Sequence, residues 1–418
     1  MTSPAQSSNP AQPIRPVWLI ILAAGIIVGM AMGLRQVMGL YLPHMSRDLG
    51  IGREPFSTAM ALANLMWGIG GVIMGGIADR YGAGRVITIG ALATAAGMYL
   101  MSVASSNTLL LTAGVLMGVG VAGTSVSALV GAVGRAVPED KRMQAIASLG
   151  MAAGIGGFVS FPYAHLAIQM LGWQMSLVLL AATVLLMLPL ALPLAGRPPE
   201  QPATTKSQTL REAFAEAFAL PSFWLLTAGF FVCGFHLAFF GVHLPAFVAD
   251  KGLPDWVGVY ALMAVGLTNI LGTYLAGRSG AVLEKRKVLS FIYFMRCFAF
   301  VALLYLPITP LTVIGISAIL GLFWLATVPP TSGLVAVFFG TQWMSMLYGF
   351  VFLSHQLGSF MGLWLAGHLF DLTKSYDMMW WISIGLGLFA AVIHWPIRER
   401  PVARLETRLE TGAVPAAA

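Results

Sequence analysis

Twelve apolar runs, each long enough to cross a bilayer as a helix, divide this chain from one end to the other. The first six fall at about Val17–Pro43, Pro55–Ala78, Val86–Ser105, Leu109–Gly134, Met143–Leu171 and Gln174–Gly196. Six more follow at Ser222–Val248, Trp256–Gly277, Val288–Leu306, Leu311–Phe338, Met344–Phe370 and Met378–Ile397. A hydrocarbon core about 30 Å thick takes roughly 20 helical residues to cross. Inside lipid the backbone must satisfy its own hydrogen bonds, so only helices and closed barrels span it. Barrel strands are short and alternate apolar with polar residues; these runs are long and continuous. The expected fold class is therefore all-α integral membrane, with 12 transmembrane helices. Only 9% of residues are charged, against about 25% in a soluble domain, so most of the surface must face lipid. The 47 glycines fit helices that approach one another closely.

The longest interior polar segment divides the spans into two sets of six. The expected organisation is a disordered tail at 1–16, an N-terminal six-helix bundle at 17–196 and a linker at 197–221. A C-terminal six-helix bundle follows at 222–397, and a tail at 398–418. Within the linker, Leu210–Phe218 reads as a short surface helix. The two sets also repeat. Leu42-Pro43 leads to Asp48-Leu49-Gly50 as Leu244-Pro245 leads to Asp250-Lys251-Gly252, and the same offset sets Arg85-Val86 on Lys287-Val288. Parallel repeats of this kind place a substrate site between the halves, near the bilayer midplane.

The net charge of +7 reports orientation. With an even number of spans both chain ends share a face. That face carries Arg15, Arg80, Arg85, Arg135, Lys141, Arg142, Arg197, Arg278, Lys285, Arg286 and Lys287 among others, whereas Arg47, Arg53, Lys251 and Lys374 stand opposite. Basic loops stay in the cytoplasm, so both termini are expected there, in the cell (inner) membrane. Charges spread over short loops do not make a nucleic-acid surface; the expected surroundings are the lipid bilayer. Cys233 and Cys297 lie inside apolar runs, which argues against a structural disulfide.

Between the second and third spans stands Gly75-Gly76-Ile77-Ala78-Asp79-Arg80-Tyr81-Gly82-Ala83-Gly84-Arg85-Val86. Gly82 and Gly84 permit a tight turn, Asp79 closes the second span, and Arg80 and Arg85 hold the loop on the basic face. This segment resembles the signature loop of the major facilitator superfamily. The resemblance implies two pseudo-symmetric six-helix bundles and a conformational latch at Asp79, Arg80, Gly82 and Arg85. Within that superfamily, Gly33-Leu34-Arg35-Gln36, Pro43 and Asp48-Leu49-Gly50, with Asp79-Arg80-Tyr81-Gly82, are similar to bacterial members of the monocarboxylate and oxalate:formate transporter group. That group often carries an arginine in span eight; here Trp256–Gly277 offers Thr268 and Asn269 instead.

Ionisable groups inside a membrane are costly, so each is a site candidate. None of the 16 acidic residues lies well inside a span, which argues against a carrier of cationic drugs. Arg35 sits eight residues before Pro43, roughly 12 Å along the helix axis. It reads as a positive centre for an anionic group, with Gln36 beside it; the competing reading is snorkelling to the headgroups. His236, Asn269, His355 and Gln356 are further substrate-binding candidates, either histidine being able to carry a proton near neutrality. For such residues an interhelical hydrogen-bonding role is the more frequent case, and Arg296 reads chiefly as structural. His243 and His368, near span ends, carry less weight. Pro162 and Pro329-Pro330 are expected to break the fifth and tenth helices. No zinc-ligand spacing, phosphate-binding loop or catalytic dyad occurs, so no enzyme activity, cofactor or metal is expected. The chain reads as a monomeric secondary transporter of a small organic anion, monocarboxylate-like, working by alternating access with a proton as a candidate co-substrate in symport. An uncharged or hydrophobic metabolite or drug is the alternative cargo, and a non-transporting membrane sensor the second alternative.

Overall fold

The computed structural model describes residues 16–126, 128–129, 132–133, 137, 139–195, 208–340 and 342–405. The helices are α1 (Val17–Leu49), α2 (Glu54–Tyr81), α3 (Ala83–Ser102) and α4 (Asn107–Thr124). A long helical stretch is divided by Gly172, at φ 77°, into α5 (139–171) and α6 (173–194). Then come α7 (Pro221–Asp250), α8 (Asp255–Val282) and α9 (Lys285–Tyr305). α10 has two arms, Pro310–Leu322 and Val328–Phe339, before α11 (Met344–Thr373) and α12 (Asp377–His394). Among the described residues, nine stretches are apolar and long enough to span by length and composition alone. Dividing one at Gly172, joining the arms of α10 and adding α11 restores the twelve spans of the sequence reading.

Two six-helix bundles result. In the first, α1 lies along α5; in the second, α7 lies along α11, its repeat counterpart. Both crossings run through glycine. A Cβ on Gly156 would sit 1.9 Å from the Gly29 carbonyl oxygen, and one on Gly234 would sit 1.8 Å from that of His355. Small residues let membrane helices touch backbone to backbone. Gly150, one turn and a half earlier on α5, has nothing within 4 Å. Gly156→Ala should therefore cost about 1–3 kcal/mol by overpacking, while Gly150→Ala should gain about 0.5–1 kcal/mol by stiffening the helix. Thermal unfolding of the two variants in detergent should move in opposite directions.

Several boundaries differ from the sequence reading for physical reasons. α1 continues through Pro43 to Leu49, with a tight 3-10 turn at Val37–Leu40 directly after Arg35 and Gln36. α5 passes through Pro162 without a break. The break in α10 lies at 323–327, upstream of Pro329-Pro330, which occupy the first turn of the second arm. A proline is tolerated there because its missing N–H would have had no helical partner. The surface helix of the linker is Leu210–Ala219, closed by a capping box between Thr209 and Glu212.

The bundles meet along three helix pairs: α2 with α11, α5 with α8, and α1 with α7. The face bearing the start of α1 and the end of α12 is the near face, and the other the far face. At the far end Gly367 abuts Ser57, and midway Gly68 abuts Gln356. Toward the near face Gly75 and Gly76 on α2 and Gly349 on α11 have nothing within 4 Å. Among the described residues, these glycine contacts join α2 and α11 from the far side to the midpoint, and none is made by Gly75, Gly76 or Gly349 toward the near face.

Candidate functional site at the seam between the bundles

Arg35 lies at the middle of the seam. The 3-10 turn after it brings Gly39 against Gly241 and Val242 of α7, so α1 meets the opposite bundle one turn from the guanidinium. Arg35 Nη1 is a long 3.5 Å from Asn64 Oδ1, and the guanidinium lies 4.7 Å from the centre of the Trp67 ring. Its Nε is buried with no hydrogen-bond partner. No ion pair to a carboxylate involves Arg35 among the described residues. A half-buried guanidinium without a counter-charge is electrostatically incomplete. Beside it lies a cavity of about 30 Å³, lined by Met38, Met60, Met117, Asn64 and, from the other bundle, Val242. That volume holds a water or two, not an organic solute.

From Asn64 the contacts cross to the second bundle. Gln356 Nε2 donates to the Asn64 carbonyl at 2.8 Å, and Gln356 Oε1 meets His355 Nδ1 at 2.9 Å. His355 stacks on Phe352, whose ring meets Trp67 edge-on at 5.3 Å. Arg35, Asn64, Gln356, His355, Phe352 and Trp67 thus form a closed circuit of polar and aromatic contacts across the seam. Three of these, Arg35, His355 and Gln356, are residues the sequence singled out. Asn64 is one of many polar residues within the apolar runs, and Trp67 and Phe352 carried no signal, because aromatic residues are common in any membrane helix.

The other candidates lie elsewhere. Gln36 packs on Gly157 of α5, inside the first bundle. His236 is buried between α7, α9 and α12, with Nε2 2.8 Å from the Ser383 carbonyl and its ring against Phe300. Asn269 serves the break in α10: its Oδ1 accepts the Leu325 N–H at 2.9 Å. Arg296, fully buried, donates from Nε and Nη2 to the Phe323 carbonyl and from Nη2 to the Trp324 carbonyl. Helix interruption frees backbone groups that lipid cannot satisfy; Asn269 and Arg296 satisfy them. Arg296→Met should leave two buried carbonyls unpaired, at about 1–3 kcal/mol each. A lowered unfolding temperature, with ligand affinity retained, is the expected result.

A second cluster closes the far end of the seam. Arg53, ahead of α2, reaches across to Asp250 at the end of α7 through both terminal nitrogens, with Nη1 2.7 Å from Oδ2. The same Nη1 is 2.7 Å from the Tyr376 hydroxyl, and the guanidinium lies 3.7 Å from the Phe370 ring centre. His243 is held between Tyr376 (2.8 Å) and Ser57 (3.2 Å). Asp371 accepts the backbone N–H groups of Arg53 and Glu54 at 2.8 and 2.9 Å, so a carboxylate of one bundle caps a helix of the other. Glu54 pairs with His368 at 3.0 Å. Sequence reasoning treated Arg53 as a loop charge and gave His243 and His368 little weight. Partners as far apart in the chain as Arg53 and Tyr376 leave no local pattern.

The near-face loop is built as its glycines suggest. Gly82 adopts φ 94°, a region closed to other residues, and its N–H closes α2 on the Ala78 carbonyl. Arg80 and Arg85 are exposed, and Arg80 lies over the neighbouring Tyr81 ring at 5.3 Å. The Asp79 side chain lies outside the described residues.

Two six-helix bundles, clasped at the far side of a seam that holds a half-buried arginine, are the architecture of a membrane carrier rather than an enzyme. Residues 20–363 match the sequence profile of the Major Facilitator Superfamily, and the chain belongs to that family. It is 24% identical over 401 residues to the uncharacterized MFS-type transporter YcxA of Bacillus subtilis, covering 91% of this chain and 94% of that one. Over 271 residues it is 28% identical to human monocarboxylate transporter 11, covering 62% of this chain and 55% of that one. Among solved structures it is similar in fold to the nucleoside transporter NupG, with TM-score 0.71, 13% identity, and 90% and 99% of the two chains covered. A D-xylose–proton symporter superposes with TM-score 0.68 at 15% identity, covering 91% and 96%.

Proposed function

We propose that this transporter carries a small organic anion, and that Arg35 is the centre that meets the anionic group. The observation that carries this reading is a half-buried arginine at the seam, with a buried, unpartnered Nε and no paired carboxylate among the described residues, beside a cavity that touches both bundles. Similarity to a monocarboxylate transporter supports the same reading. Asn64, His355 and Gln356 are then the polar groups around the anion. His236, Asn269 and Gln36 sit away from that point, and in this reading each helps to hold its own bundle together.

Alternating access follows from two gates. The Arg53 cluster closes the far side, while the loop at Asp79, Arg80, Gly82 and Arg85 serves as the latch that forms when the near side closes. The near face is the cytoplasmic one, in keeping with its basic loops, and the membrane is the cell (inner) membrane. Each monomer works alone, and a proton accompanies the anion. Thermal stabilisation of the purified protein across formate, pyruvate, lactate, benzoate, xylose and uridine tests this reading. Stabilisation by acids alone, abolished in Arg35→Gln, is expected. Stabilisation by the neutral compounds alone would overturn it.

A further inference from the structure

We propose that the near-face end of the crevice between α9 and α12 is a binding site for an anionic phospholipid. A groove of about 690 Å³ opens there on the surface that faces the membrane. Its walls are Leu225 of α7, Phe291 and Phe294 of α9, and Val392 of α12, with Trp395 and Lys287 at the near-face mouth. Phe291, Phe294, Val392 and Trp395 are exposed, so no side chain among the described residues fills the groove. The polar side chain on its floor is satisfied from within, since Ser290 donates to the Ala391 carbonyl. The groove wall therefore asks for hydrocarbon, and in a bilayer an acyl chain supplies it.

The mouth asks for negative charge. The first turn of α9 is Lys285-Arg286-Lys287, three cations where the positive end of the helix favours acids. Glu284 is shared by two of them, with Arg286 and Lys287 both paired to it. The Arg286 N–H meets Glu399, which brings the segment after α12 alongside with Arg398 and Arg400. Lys285 turns away, against Gly280 of α8 and Gly333 of α10. Lys287 lines the mouth, Arg286 donates to the Trp395 carbonyl beside it, and exposed Arg398 and Arg400 follow Trp395 in the chain, four cations against the two carboxylates Glu284 and Glu399. Trp395 marks the depth at which amphipathic rings sit beside headgroups. An excess of positive charge at headgroup level, continuous with an empty apolar groove, matches a phosphate ester with attached chains. A free anion would use the mouth alone and leave the groove open. This stretch occupies the repeat position of the near-face latch loop, whose acidic residue it lacks; its basic residues are accounted for by lipid rather than by latching.

Native mass spectrometry of protein extracted from bilayers of equal phosphatidylglycerol and phosphatidylcholine reads the retained lipid directly. Preferential retention of phosphatidylglycerol is expected, with a roughly fivefold loss in Lys287→Gln. Arg278→Gln, an exposed charge on α8 away from the groove, is expected to retain the lipid as the parent does. Thermal stability should rise with added phosphatidylglycerol and not with inorganic phosphate. Equal retention of the two lipids, or parental phosphatidylglycerol retention in Lys287→Gln, would overturn the assignment. A phosphate response equal to the lipid response would also overturn it, in favour of a plain ion site.

Discussion

Arg53→Gln should open the far side of the seam. With spin labels at Arg47 of the first bundle and Lys251 of the second, both exposed on that face, the distance distribution should shift toward longer separations. Three kinds of contact end together: the paired bonds to Asp250, the bond to Tyr376, and the stacking on Phe370. The two charged side chains are 10% and 34% exposed, between the surface and buried limits. Removing a buried partner costs about 3–5 kcal/mol, and exposed pairs count for under about 1 kcal/mol. A loss of about 2 kcal/mol is the reasonable middle, and it changes the closed-to-open ratio roughly 30-fold. Arg53→Lys keeps the charge and loses the planar fork, so it should fall between parent and Gln. An unchanged distance distribution in Arg53→Gln would mean that packing of α2 on α11, where Gly367 abuts Ser57, holds the seam by itself. Transport should fall in Arg53→Gln as well, because a carrier that cannot close its far side cannot complete a cycle.

The second large effect concerns Arg35. Arg35→Gln should reduce organic-anion uptake into proteoliposomes more than a hundredfold, equivalent to about 3 kcal/mol of lost interaction. Truncating one partner of a desolvated charge pair leaves the other without compensation, and here the abandoned partner is the substrate. Arg35→Lys should recover part of the loss, since an ammonium supplies charge but neither the fork nor the flat stacking on Trp67. Trp67→Leu should weaken uptake several-fold, the scale of one cation–π contact. The spin-label distance across the far seam should stay at its parental value in Arg35→Gln, which separates a lost substrate contact from a lost gate. Parental uptake of the anion by Arg35→Gln would end the anion reading and favour the neutral cargo. Both reporters suit the native chain, because Cys233 and Cys297 are buried and leave the labelled surface to engineered cysteines.

Much of the architecture was legible because lipid acts on each segment separately. A run such as Ser222–Val248 must be a helix wherever its neighbours lie, since its backbone has nothing else to bond with. The repeat was legible too: the glycines that end its two copies, Gly50 and Gly252, both take left-handed backbone angles, φ 62° and 73°. Prolines misled where local rules admit two outcomes. Pro329-Pro330 signalled an interruption in the tenth span correctly, but the residues that open are 323–327, held by Arg296 and Asn269 from other helices.

The site divides in the same way. Arg35 stood out in the sequence because a cation in an apolar run is conspicuous at any location, and the structure sets it at the seam. His236 was equally conspicuous, yet the same kind of signal led to an interhelical bond with Ser383. Nothing within one helix tells whether a polar residue faces the seam or the interior of its own bundle. The Arg53 cluster is the sharpest case, since Asp250, Tyr376 and Asp371 reach it from segments nearly 200 residues away or more. By itself the sequence determined the spans, their division into halves, the basic face and the two arginines within spans, Arg35 and Arg296, all of which follow from transfer between water and lipid. Tertiary structure alone decided which polar residues meet and which side of the seam is closed, because those depend on how two separately stable bundles are set against each other.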